Sequence, residues 1–150
     1  MKTFREIVEK FESAANYHIY IQSFGFGNVD RLNDTINQPY PLLWVRPLGS
    51  LGVSPYGQRT LTFEVFMLEI PKGDDSNYIQ AYSDAERALY DVYTFFRDGA
   101  QQQEYQINML NITPVSEAFQ DRAIGFVSQM EIITDSSGLT ICNIPTNQWA

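Results

Sequence analysis

The chain is predicted to fold as one α+β domain: a mostly antiparallel, twisted sheet of about four to five strands with two helices packed on one face. Three observations carry that expectation. Two stretches, near the start and the middle, repeat apolar residues at helical spacing. Arg59–Ile70 alternates with the period of two that a strand requires. Ile112–Ile133 reads as a strand, a turn and a long returning strand. From Ile124 onward it places Ile124, Phe126, Met130 and Ile132 on one face, with Gln129 and Glu131 on the other.

The elements follow in order. Thr3 and Glu6 form a Thr-x-x-Glu capping box, and Phe4, Ile7, Val8, Phe11 and Ala15 recur at helical spacing. A first amphipathic helix is therefore expected, ending near Ala15–Asn16. Tyr17–Phe26 is dense in aromatic and β-branched residues and reads as a strand, bent or ended by Gly25 and Gly27. Val29–Pro41 is polar and irregular, rich in turn formers. Pro41–Val45 (PLLWV) is a continuous apolar run suited to a strand buried on both faces, closed by Pro47.

Arg46–Gln58 (RPLGSLGVSPYGQ) is expected to be a long loop or extended arm, because it is punctuated by Gly and Pro. Its Leu51, Val53 and Tyr56 follow no period and have no evident core to join. On Arg59–Ile70, Leu61, Phe63, Val65 and Met67 share one face. The opposite face starts polar at Thr60, Thr62 and Glu64 and turns apolar at Phe66, Leu68 and Ile70. That shift predicts cover on both sides over the second half. After a turn at Pro71–Asp75, Ser76–Phe96 is predicted to be the second helix, ended by Asp98-Gly99. Its stripe is Tyr82, Ala85, Leu89, Val92, Tyr93 and Phe96, with Asp84 and Glu86 opposite. Tyr105–Pro114 supplies the next strand. Gly125, inside the last one, marks a bulge or a close backbone approach. Ser136–Ala150 has no period and is expected along the surface. Phe63, Leu89, Phe126 and Ile132 are expected at the centre of the core.

Composition narrows the function. The 150 residues are 44% hydrophobic and 14% aromatic, enough for a packed core and against disorder. The formal net charge of -8 argues against a general nucleic-acid binder, which needs clustered Lys and Arg. Charges interrupt MKTFREIVEKF, so no signal peptide is expected there, and no apolar run is long enough for a membrane span. A cytosol-like compartment is the expectation.

Few residues suggest chemistry. His18 is the single histidine, and a catalytic base would need a nucleophile and an orienting carboxylate that the sequence does not assign. A structural or surface role is the expectation. Cys142 stands alone, so neither an intramolecular disulfide nor a cysteine-based metal cluster can form. Gly25-x-Gly27 lacks the remainder of a phosphate loop, and Asp30, Asp34, Asp74 and Asp75 lack calcium-loop spacing. Asp121-Arg122, at the last hairpin turn, is read as a local ion pair or as part of a subunit contact. The glycosylation-type triplets at Asn33 and Asn111 have no meaning without secretion. No catalytic residue, cofactor or metal ligand is expected. A small hydrolase built on His18 or Cys142 is the weakest reading.

As a pattern over most of its length, the chain resembles the tail terminator or tail-completion proteins of the tailed-bacteriophage head–tail neck. The carrying residues are an opening helix leading into Ile21–Asn28 (IQSFGFGN), then Tyr40–Pro47 (YPLLWVRP), where such sequences carry a YPLxWV strand. Thr62–Leu68 follows, and then a helix with Ser83-Asp84. The end is most alike: Pro114, Phe119, Asp121, Arg122, Gly125, Phe126 and Cys142–Pro145 (CNIP), with Phe126 where members often have Trp. The resemblance implies a non-enzymatic, homo-oligomeric ring, six-fold or twelve-fold, in the virion. Adjacent neck, connector and tail proteins would be its neighbours, and DNA would pass through without specific binding. On this reading Leu51, Val53, Tyr56, Phe66, Leu68 and Arg122 are expected at subunit or ring contacts. Glu64, Glu117, Asp121 and Glu131 are expected to face the lumen, where like-charge repulsion keeps a polyanion from sticking. The alternative is a monomeric or dimeric α+β protein-binding module without catalytic activity.

Overall fold

The computed structural model describes residues 3–28, 39–53, 58–71, 76–103, 105–118 and 122–135, with backbone alone at 49–53, 99–103, 117–118 and 135. The elements are α1 (Phe4–Tyr17), β1 (Ser23–Phe26), β2 (Leu42–Val53), β3 (Gln58–Glu69), α2 (Tyr78–Gln103), β4 (Tyr105–Ala118) and β5 (Ala123–Asp135). The fold is α+β. One five-stranded sheet runs in the order β1-β2-β3-β5-β4, and every neighbouring pair is antiparallel except β1 with β2.

Both helices lie against the same sheet face. The Thr3 hydroxyl accepts the Glu6 backbone N–H at 3.2 Å, so α1 begins where the capping pattern placed it. Its Ile7, Phe11, Ala14 and Ala15 are buried, as are Ala81, Ala85, Ala88, Leu89, Val92 and Phe96 of α2. They meet Leu43 and Val45 of β2, Leu61, Phe63, Val65 and Met67 of β3, Ile107 of β4, and Met130 and Ile132 of β5. Phe11 is the hub, its ring 5.4 Å from Phe63 and 4.5 Å from Phe96. Of the four residues expected at the core centre, Phe63, Leu89 and Ile132 are fully buried. Phe126 is half-buried and packs edge-on against Tyr82 at 5.7 Å.

Several boundaries differ from expectation. Tyr17 belongs to α1, and only Ser23–Phe26 of the supposed strand pairs with β2. Of the expected loop Arg46–Gln58, Arg46–Val53 is strand, because β2 continues to Val53, and β3 begins at Gln58; residues 54–57 lie outside the described residues. Beyond Val45 the β1 ladder has ended and no described strand pairs with β2 on that side, so Pro47, which has no N–H to donate, is tolerated. Helix α2 passes through Asp98-Gly99 to Gln103, because one interior glycine costs only about 1 kcal/mol against the favourable Ala100 and glutamines that follow. Strand β4 runs on through Pro114 to Ala118, again as an edge strand. Gly125 is the expected close approach: its φ is 153°, and an added Cβ would lie 1.9 Å from the Met67 carbonyl oxygen. The expected tail 136–150 lies outside the described residues.

Candidate functional site

The sheet face away from the helices carries four of the expected site residues, Glu64, Phe66, Leu68 and Glu131. Because β2, β3, β5 and β4 are in register, its side chains stand in cross-strand rows. At one end the rows are apolar. Leu42 and Leu68 stand with Gly125 and Val115, and Trp44 and Phe66 stand with Val127. Together with Ala123 and Tyr40 they form a second hydrophobic cluster. The Trp44 indole crosses β1, donating its N–H to the Gly27 carbonyl at 2.8 Å. A side chain at Gly25 would occupy the indole's place, since a Cβ there would sit 2.2 Å from the ring.

At the other end polar residues dominate the rows, with Leu48, Leu110 and Ile133 among them. Arg46 faces Glu64 across the β2–β3 ladder, with Nη2 2.9 Å from Oε1. The neighbouring row brings Thr62, Glu131 and Asn108 together, and the Asn108 amide donates to Glu131 Oε1 at 3.3 Å. Asn111 donates to Gln129 Oε1 at 3.2 Å. The charge and amide groups therefore hold one another in fixed positions.

The expected contact residues scatter. Phe66 and Leu68 are 7% and 0% exposed within this apolar cluster, so the single chain already covers them and they do not form a free contact surface. Arg122 is exposed in the β4–β5 turn at a φ of 56°. Leu51 and Val53 lie in β2, but their side chains are outside the described residues, as are the Glu117 side chain, Tyr56 and Asp121. Glu64 and Glu131 share the polar half of the open face. Each has a partner: Arg46 for Glu64, Asn108 for Glu131. Neither Arg46 nor Asn108 was singled out from sequence, because both act through register and not through a local motif.

His18 sits at the end of α1, not within a strand. Its Nδ1 accepts the Tyr20 backbone N–H at 3.1 Å, which leaves Nε2 to donate to Asp91 at 2.8 Å. Both ring nitrogens are thereby engaged in tying the end of α1 to α2. A second polar contact crosses the helix side: the Tyr20 hydroxyl donates to Glu69. Burial, then Glu69 and Asp84, push the Tyr20 hydroxyl well above its ordinary range. Burial raises the Glu69 carboxyl as well, helped by Asp84 and opposed by the hydrogen bond from Tyr20. Tyr105, pushed up to about 12 by burial, donates to the Phe96 carbonyl at 2.8 Å and ties the start of β4 to α2. Among the described residues no group of three His, Cys, Asp or Glu side chains stands close enough to hold a metal ion. No described helix is long and apolar enough to cross a membrane. No protein-family model matches the chain, and no curated protein matches it either.

Proposed function

We propose that this chain is a structural protein of a tailed-phage virion: a ring-forming subunit at the head–tail neck or tail end that joins or terminates the tail around the DNA path. The observation that carries the reading is the one-sided sheet. Both helices pack on one face, and the polar half of the other presents Glu64, Glu131, Gln129, Thr62 and Asn108 in fixed rows. A hydrogen-bonded surface bearing carboxylates, Glu64 paired with Arg46 and Glu131 with Asn108, suits a wall past which a polyanion slides. The pattern shared with tail terminators over Tyr40–Pro47 and Pro114–Phe126 points the same way. Burial of Phe66 and Leu68 moves the proposed subunit contacts toward Arg122 and the far end of the β2–β3 pair.

The test is genetic complementation read by electron microscopy. Particles assembled without this chain are expected to have unjoined heads and tails, or tails of unregulated length, and supplying the chain in trans restores them. Normal, joined particles in its absence would reject the reading.

A further inference from the structure

We propose that the edge of β4 is a self-association surface, at which two copies of this chain pair antiparallel about a two-fold axis centred on Asn108. This goes beyond the ring reading and does not depend on it. Strand β4 ends the sheet, so its outer side carries backbone donors and acceptors that no described strand pairs. Edge strands are ordinarily guarded by charge, yet from Tyr105 to Ser116 there is not one Asp, Glu, Lys or Arg. Gln106, Asn108 and Leu110 are exposed along it, Leu110 by 45%.

The missing charge also selects the occupant. Two copies of a chain with net charge -8 repel, and they approach most easily where each is neutral. Side-chain alternation then limits the register. Opposed residues must share a sheet face, so the two-fold axis passes through a residue and not between two. Centring on Asn108 sets Gln106 against the partner copy's Leu110 on the open face, and Ile107 against its Met109 on the helix face. This ladder stops where the structure stops it. The β4–β5 register shifts between Leu110 and Thr113, and Asn111 takes a φ of 55°, a bulge that turns the rest of the edge away. The nearest acid among the described residues, Glu131, lies one strand in. Its two copies would stand three strand spacings apart, about 14 Å, beyond the ~8 Å screening length at physiological salt. Among the described residues no like charges oppose each other across the joint.

Charge placement at two exposed positions tests both the surface and the register. The wild-type mass, followed by sedimentation across concentration, is expected to rise from one chain toward two. Gln106→Lys with Leu110→Lys sets Lys against Lys twice and should weaken association at least tenfold. Gln106→Glu with Leu110→Lys sets Glu against Lys twice and should restore it, with added salt sensitivity. For a readout independent of affinity, Asn108→Cys in a Cys142→Ser background puts two sulfurs across a pair with Cα atoms about 5 Å apart, within disulfide reach. It should give a cross-linked dimer on mild oxidation, while Ile112→Cys, past the bulge, should not. A wild-type chain that stays monomeric at every concentration would overturn the proposal. So would a double-Lys variant that associates like wild type, or equal cross-linking at positions 108 and 112.

Discussion

Gly125→Ala is the substitution that probes the sheet most sharply. At φ 153° the backbone occupies a region almost reserved for glycine, where a side chain costs of order 1–3 kcal/mol. The new methyl would also meet the Met67 carbonyl oxygen at 1.9 Å and its carbon at 3.0 Å. That obstacle is backbone of the β3–β5 ladder, one pair from its end, so it yields only if the two strands move apart there; forced overpacking of this kind costs roughly another 1–3 kcal/mol. The sum, about 2–6 kcal/mol, is a large fraction of the stability of a domain this size. Near 2–4 °C per kcal/mol, Tm should fall by roughly 5–20 °C. Gly25→Ala is the graded comparison. Its Cβ meets only the Trp44 ring, which can swing aside, so the loss should be smaller and accompanied by a change in tryptophan emission. Thermal melts and guanidinium titrations read both. A Gly125→Ala protein melting within about 2 °C of wild type, or less perturbed than Gly25→Ala, would refute this reading of the β3–β5 contact.

Three further outcomes are expected. Truncating Phe63 or Leu89 to Ala removes fully buried side chains around Phe11 and should cost roughly 2–5 kcal/mol by chemical denaturation. The Glu69 carboxyl binds its proton more tightly in the folded chain than in the unfolded one, so its contribution favours folding as pH falls through its raised folded value and levels off below the ordinary carboxylate value. Glu69→Gln should therefore melt no lower than wild type at pH 7.5, and the variant's advantage should shrink by pH 5; an advantage that grows toward pH 5 would contradict the sign. Finally, the wild-type chain should show no measurable duplex-DNA affinity at physiological salt. Replacing Glu64 and Glu131 by Lys should slow genome ejection from particles that still assemble, and normal ejection by such particles would count against a lumenal face.

What was legible in the sequence depended on how local each cause is. The Thr3 cap acts within one helical turn, and the alternation of Leu61–Met67 within one strand, so both could be read directly. The turn from polar to apolar on the opposite face of β3 announced cover at Phe66 and Leu68, which Leu42, Trp44 and Ala123 help supply. Arg46–Val53 was misread because Gly and Pro are local breakers, whereas β2 survives through its pairing with β3 from Leu42 to Leu48 and again at Gly52 and Val53, with no described strand on the other side of Pro47. The aromatic density of Tyr17–Phe26 suggested a strand, but Tyr17 continues α1, where its ring lies 6.3 Å from Phe95. The pairs Arg46–Glu64, Asn108–Glu131 and Tyr20–Glu69 depend on register or on packing between distant segments. No periodicity announces them.

The most direct measurement is a cryo-electron microscopy reconstruction of phage particles that carry this chain. It should find the protein as a closed ring at the neck or tail end, with both helices outward and the row of Thr62, Glu64, Gln129 and Glu131 toward the DNA path. A location away from the neck and tail, or a ring whose helices line the channel, would contradict the proposed function.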